Sequence, residues 1–286
     1  MKTHSYLTVV LALVLIITGA FMSCGSPQAE QEMPLSVNEN PRYIYQDGAI
    51  LIGADYEPIE LGNNPNATNP TYAELVAFIK KDTSDSKIYS RVEHLCADFA
   101  EEVHNNAEAA GIRAAWVGID IEGEEDGHAV NAFQTTDRGL VYVDCTGKDI
   151  LESTLLRIGE PTYTPTSWDK IAYVKVGKAY GVIYIDYAES LSYDFYETYQ
   201  QKWQECEEIL HEYNDEVVQF HQEIAGKVYH RGSLELAWME ARETILKEKS
   251  QLIEELAKEL GYYSPTPLGI VENIHIHWGE PSEQSP

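Results

Sequence analysis

The chain is short of positive charge. Of its 286 residues only 20 are Lys or Arg, against 47 Asp or Glu, for a formal net charge of −27. A surface that acidic repels phosphate backbones, which excludes nucleic acid as a partner. It also repels anionic lipid, so a membrane contact needs a specific anchor rather than a basic patch. Cysteine is scarce too, at four residues. Cys24 closes an apolar leader, which leaves Cys96, Cys145 and Cys206 for the rest of the chain. Exported domains pair their cysteines in even sets, so at least one free thiol is expected. No internal repeat is visible. What is present is an ordinary globular composition, 44% hydrophobic and 23% charged. It includes 19 Tyr, a residue suited to half-buried surfaces.

The leader begins with Lys2, runs almost wholly apolar from Tyr6 to Met22, and ends at Ser23-Cys24-Gly25-Ser26. Residues 1–24 therefore read as a secretory signal ending at a lipoprotein cysteine, with Cys24 as the lipid anchor. The alternative is an uncut signal anchor, although the apolar run is at the short limit for a membrane span. Both place the remainder outside the cytoplasm, attached to the cell membrane. Residues 25–42, rich in Ser, Pro, Gln and Glu, read as a flexible tether.

From 43 to 190 the pattern is mixed. Ala49-Ile50-Leu51-Ile52 suggests an edge strand, and Asn63 to Pro70 a turn region. Thr71 with Glu74 has capping-box spacing before an apolar stripe, which predicts a helix ending near Lys81. Val92 to Ala110 has helical periodicity, with Leu95, Phe99 and Val103 on one face and Gly111 as its stop. Strands are expected over Arg113–Ile121, His128–Thr135 and Gly139–Asp144. Ile171–Val176 and Tyr180–Asp186 should form a hairpin around Gly177-Lys178. A helix followed by an antiparallel sheet is an α+β domain. Between 191 and 262 the period changes. Tyr196, Tyr199, Trp203, Cys206, Leu210, Tyr213, Val217, Phe220 and Ile224 follow an a/d heptad seam. After a break at Arg231-Gly232-Ser233, a second stripe runs through Leu234, Trp238, Ala241, Ile245, Leu252 and Leu256. A long antiparallel helical hairpin is expected, its first seam buried mainly by this second stripe. Residues 263–286 form a Pro-rich tail with strand character at Ile270–Trp278.

A nucleophilic thiol needs a lowered pKa, a base to hold its proton, and an orienter for that base. Cys96 lies in the amino-terminal part of a predicted helix, where the dipole favours a thiolate. His128 opens a strand just after an acidic turn, and Asp144 ends the next strand. If those strands pair, Asp144 can hold the far nitrogen of the imidazole. The order is Cys, His, Asp. The runs Cys96-Ala97-Asp98-Phe99-Ala100, Gly111-Ile112, Gly127-His128-Ala129-Val130-Asn131 and Val143-Asp144-Cys145-Thr146 resemble the transglutaminase-like superfamily over roughly residues 71–186. The resemblance implies a papain-like core with Cys96 as nucleophile, His128 as base and Asp144 as orienter. Ala115 stands where many relatives have Arg, and Val130 where they have Trp, which leaves substrate choice open. The backbone N–H of Cys96, or Tyr89, is the candidate oxyanion donor.

Cys145 and Cys206 read as core. His275 and His277 share a strand face, but two histidines without a third ligand do not make a metal site, and no cofactor is expected. The resemblance implies a thiol acyl transferase or amide hydrolase acting on peptide, protein or cell-wall amides. The competing expectation is a catalytically silent, surface-tethered module whose hairpin docks a protein partner.

Overall fold

The computed structural model describes residues 43–46, 48–90, 92–149, 167–261 and 267–279. The leader with Cys24 and the tether over 25–42 lie outside the described residues. Three short elements come first among these, β1 (Tyr45–Gln46), β2 (Ala49–Ile50) and helix α1 (Tyr72–Ile79). Thr71 and Glu74 form the expected capping box at the start of α1. β3 (Ile88–Tyr89) then leads to helix α2 (Cys96–Ala109), which starts later than its periodicity suggests. Ser90 and His94 exchange backbone hydrogen bonds and hold the chain in a turn, and Leu95 is extended. Asp98 accepts from the Leu95 N–H at 2.6 Å, so the helix opens at Cys96. Gly111, at φ 82°, ends it.

The main sheet follows: β4 (Ala115–Ile121), β5 (His128–Thr135), β6 (Gly139–Asp144), β8 (Lys170–Tyr173) and β9 (Gly181–Tyr184). β7 (Lys148–Asp149) instead pairs in parallel with β3. The hairpin pairing of β8 and β9 is shorter than expected, because residues 177–180 turn toward the last described strand, β10 (Val271–His277). Gly177 donates to Val271, Val271 to Lys178, and Tyr180 to Gly269. β10 pairs with β4, giving an antiparallel six-stranded order β10-β4-β5-β6-β8-β9. The bridge between Ala179 and Ile270 brings the two sheet edges together at one end. The tail strand is thus part of the sheet.

Alternation along the strands makes two apolar faces. One face gathers Val117, Ile119, Val130, Ala132, Val182 and Val271. The other, with Phe133, Val143, Ile171 and Ile183, is covered by Leu75 and Ile79 of α1 and Val103 and Ala107 of α2. Part of the polar face of α2 is covered by chain. Asp98 accepts from Ala54, Glu101 from Glu60, Asn105 from Gly62 and Glu108 from Asn64, so residues 54–64 are strapped along the helix by their backbone. Gly53 must be glycine there, since a Cβ would stand 2.0 Å from the Asp98 carboxylate.

α3 (Tyr193–Ile224) and α4 (Leu234–Glu259) form an antiparallel hairpin. The pairs Lys202–Glu259, Glu216–Lys249 and Phe220–Trp238 record its register. The first seam is divided between two partners. Tyr196, Tyr199, Trp203 and Cys206 join the core of the sheet domain together with Leu256 and Leu260 at the end of α4, and the distal part, with Phe220 beside Trp238, meets α4. The second stripe is corrected. Leu234, Ile245 and Leu252 are exposed, Trp238 is half-exposed against Phe220, and of the stripe Leu256 packs on the core, while Leu246, Ile253, Ala257 and Leu260 are buried. Two ties fix that rotation: the Tyr199 hydroxyl donates to the Leu260 carbonyl, and Lys249 reaches across to Glu216. Among the described residues no helix is long and apolar enough to cross a membrane.

Candidate functional site

The three residues singled out from the sequence meet at one end of the sheet. Cys96 is the first residue of α2, so its N–H belongs to the first-turn donors without an intrahelical acceptor. Trp116, from β4, donates its indole N–H to the Ala97 carbonyl at 3.2 Å. Asn131, from β5, donates to Ala100 at 2.7 Å. These two bonds pin the start of α2 against the sheet. His128 opens β5, and the β5–β6 register (Asn131 opposite Val143) sets Asp144 diagonally across from it on the same face. His128 Nε2 lies 3.0 Å from Asp144 Oδ2. That contact leaves Nδ1 for the thiol of Cys96, which lies near enough to help raise the His128 pKa. In the neutral ring, Nε2–H donates to the carboxylate and Nδ1 is free to accept, the tautomer a general base requires. Cys96 is half-buried, and His128 keeps 11% of its side chain exposed, so the pair opens to the surface.

Asp144 is held by more than His128. Its Oδ1 accepts from the Thr146 N–H at 2.8 Å. Lys170, directly opposite on β8, brings its ammonium to 3.9 Å from Oδ1. Oδ2 accepts from the Tyr180 hydroxyl at 2.7 Å. Burial works against the carboxylate's charge, but the Lys170 and His128 cations and these hydrogen bonds keep its pKa well below the usual range. For His128, burial pulls the pKa down. The charge and hydrogen bond of Asp144, together with Cys96, outweigh it and push the pKa up to about 10. Burial and the Asp144 charge raise the Tyr180 hydroxyl well above its ordinary value, so it remains a donor.

Neither of the other described thiols competes. Cys145 points to the opposite face, is 3% exposed, and has its pKa raised by burial and by Asp169 and Asp144. Cys206 packs in the base of the hairpin. Tyr89 sits half-buried on β3, whose pairing with β7 lays the approach to Cys96 beside the exit from Asp144. His275 bonds Asp120, and His277 packs near Trp116. Among the described residues no group of three or more His, Cys, Asp or Glu could hold a metal ion. A cleft of about 870 Å³ lies elsewhere, along Glu60–Pro65, Asn105, Arg113 and Trp278, and none of the three site residues lines it.

Sequence reasoning missed Lys170 and Tyr180. A Lys opening the otherwise apolar run Lys170–Tyr173 is a weak signal of a buried partner. Nothing in the sequence distinguishes Tyr180 from the other 18 tyrosines. Comparison with known proteins leaves the site to be read from its own chemistry: no family model, no curated protein and no solved structure matches the chain.

Proposed function

We propose that the chain is an extracytoplasmic, transglutaminase-like thiol enzyme that transfers or hydrolyses acyl groups of peptide, protein or cell-wall amides. The observation that carries this reading is the line of contacts from Cys96 through His128 to the buried Asp144. In the proposed reaction the Cys96 sulfur attacks the amide carbonyl carbon. The oxyanion of the tetrahedral intermediate is met by the N–H of Cys96 at the helix start. Collapse breaks the C–N bond, and His128 gives the leaving amine the proton it took from the thiol. Water or a second amine then attacks the thioester, His128 accepts its proton, and the thiol returns. Asp144 orients the ring and stabilises its protonated form throughout. Attachment through Cys24 would hold this chemistry at the outer side of the membrane.

Iodoacetamide labelling at neutral pH, read by peptide mapping, tests the nucleophile. Cys96 should label first, while Cys145 and Cys206 stay protected until the protein unfolds. His128→Ala should slow Cys96 labelling by about 10²-fold or more. Labelling of Cys96 no faster than in the unfolded chain would sink the reading in favour of a silent tethered module. Given a reactive Cys96, incubating a glutamine peptide with and without a primary amine separates transamidation from hydrolysis.

A further inference from the structure

The carboxylate that orients His128 is a hub, and its four neighbours divide two and two between its oxygens. Oδ1 is occupied by the Thr146 N–H and faces Lys170. Lys170 is itself 8% exposed and donates to the carbonyls of Thr146 and Trp168 at 2.9 and 2.7 Å. Oδ2 is shared by His128 Nε2 at 3.0 Å and the Tyr180 hydroxyl at 2.7 Å. The Tyr180 ring also meets the imidazole edge to face, at 5.1 Å between centroids and 73° between planes. Tyr180 is 2% exposed, and its backbone is bonded to Gly269, just ahead of β10. One buried phenol therefore touches both the base and the orienter, and the closure of the sheet edges holds it in place.

We infer that Tyr180 is a positioning residue of this site, setting the tilt of the His128 ring and tempering its basicity by sharing Asp144 Oδ2. The inference rests on the proposed role of Cys96 and His128. The physical reason is competition for one acceptor. A hydroxyl donating to Oδ2 draws off negative charge that would otherwise stabilise the imidazolium. Without it the imidazolium would be held too tightly to release its proton to a leaving amine. The Tyr180 ring, packed against the imidazole, meanwhile limits its rotation. The other titratable groups around the pair are Cys96 from α2 and Lys170 from β8, with Asp169 and Cys145 beside them in the chain.

The test is Tyr180→Phe, which removes the hydroxyl and keeps the ring. NMR titration of the His128 imidazole should show its midpoint rising by about half a unit or more. Site-specific replacement of Tyr180 by 3-fluorotyrosine, a stronger donor of nearly the same shape, should move the midpoint the other way. That arm keeps the inference testable if the Phe variant folds poorly. A merely space-filling tyrosine would shift neither. If Cys96 of the parent labels rapidly but both variants titrate like the parent, the role of Tyr180 is overturned and the proposed function stands. If Cys96 of the parent shows no enhanced labelling, the proposed function and this inference fall together.

Discussion

At the scale of single residues, the contact between His128 and Asp144 links the site to stability. The folded His128 pKa is raised from its ordinary 6.5 to about 10. Its contribution is therefore fully present below about 6.5 and lost as pH rises through about 10. The Asp144 pKa, depressed against burial by Lys170 and then by His128, acts from the acid side. That contribution is present above the ordinary carboxylate range and lost as pH falls below it. The denaturation midpoint of the parent should fall between pH 7 and pH 10. Asp144→Asn should flatten that fall, because the neutral amide no longer favours the imidazolium. The same substitution leaves the buried Lys170 ammonium without its carboxylate, so a loss of about 3 kcal/mol is expected at neutral pH. A urea titration at pH 7 and pH 10 measures both effects. An unchanged pH slope in Asp144→Asn would show that the pair is not coupled.

At the scale of elements, one tight contact between the hairpin and the sheet falls on a glycine. A Cβ on Gly181 would stand 1.9 Å from the Tyr196 ring, which also stacks on Tyr173. Gly181→Ala should therefore displace the first turn of α3 from β9 and cost about 1–3 kcal/mol as an overpacked contact. Tyr196→Leu in the same chain should recover part of that loss; thermal melts of the single and double variants decide it. The hairpin itself is not uniform along its length. Trp203 is buried among core residues, whereas Trp238 is 44% exposed. Trp203→Ala should cost about 3–5 kcal/mol and Trp238→Ala well under half of that. Equal losses would mean that the distal hairpin is as firmly packed as its base.

At the scale of the molecule, the sheet is completed by chain from both sides of the hairpin. β10 covers the edge of β4 and contributes Val271 to the buried face. A chain ending at Gly261 would expose the β4 backbone as an unpaired edge and free residues 177–180 from their partners. Such a truncation should lower the melting temperature and form higher oligomers in size-exclusion chromatography. A monomeric, equally stable product would show that β10 is dispensable. The truncation also tests how Tyr180 is held, because its backbone bond to Gly269 would be lost along with the strand.

Local pattern was enough for much of this architecture. Thr71 and Glu74 announce a helix start because a capping box is a contact within four residues. His128 and Asp144 fall at strand ends that period-2 alternation marks. The heptad period identifies α3 because a buried seam must repeat about every 3.5 residues. The α+β class, the helix–sheet order and the Cys96–His128–Asp144 grouping were legible for these reasons. What tertiary structure decided lies at longer range. The start of α2 at Cys96 depends on the turn that precedes it and on Asp98, a choice that helical periodicity does not see. The face α4 turns inward was set by anchors at Leu260 and Glu216. The second stripe is nearly as apolar as the buried one, so pattern alone could not choose between them. The roles of Lys170 and Tyr180 depend on a register that puts β8 beside β6 and on a closure through Gly269. Those pairings are made by backbone hydrogen bonds between distant segments, and no single segment carries a mark of which partner it will meet.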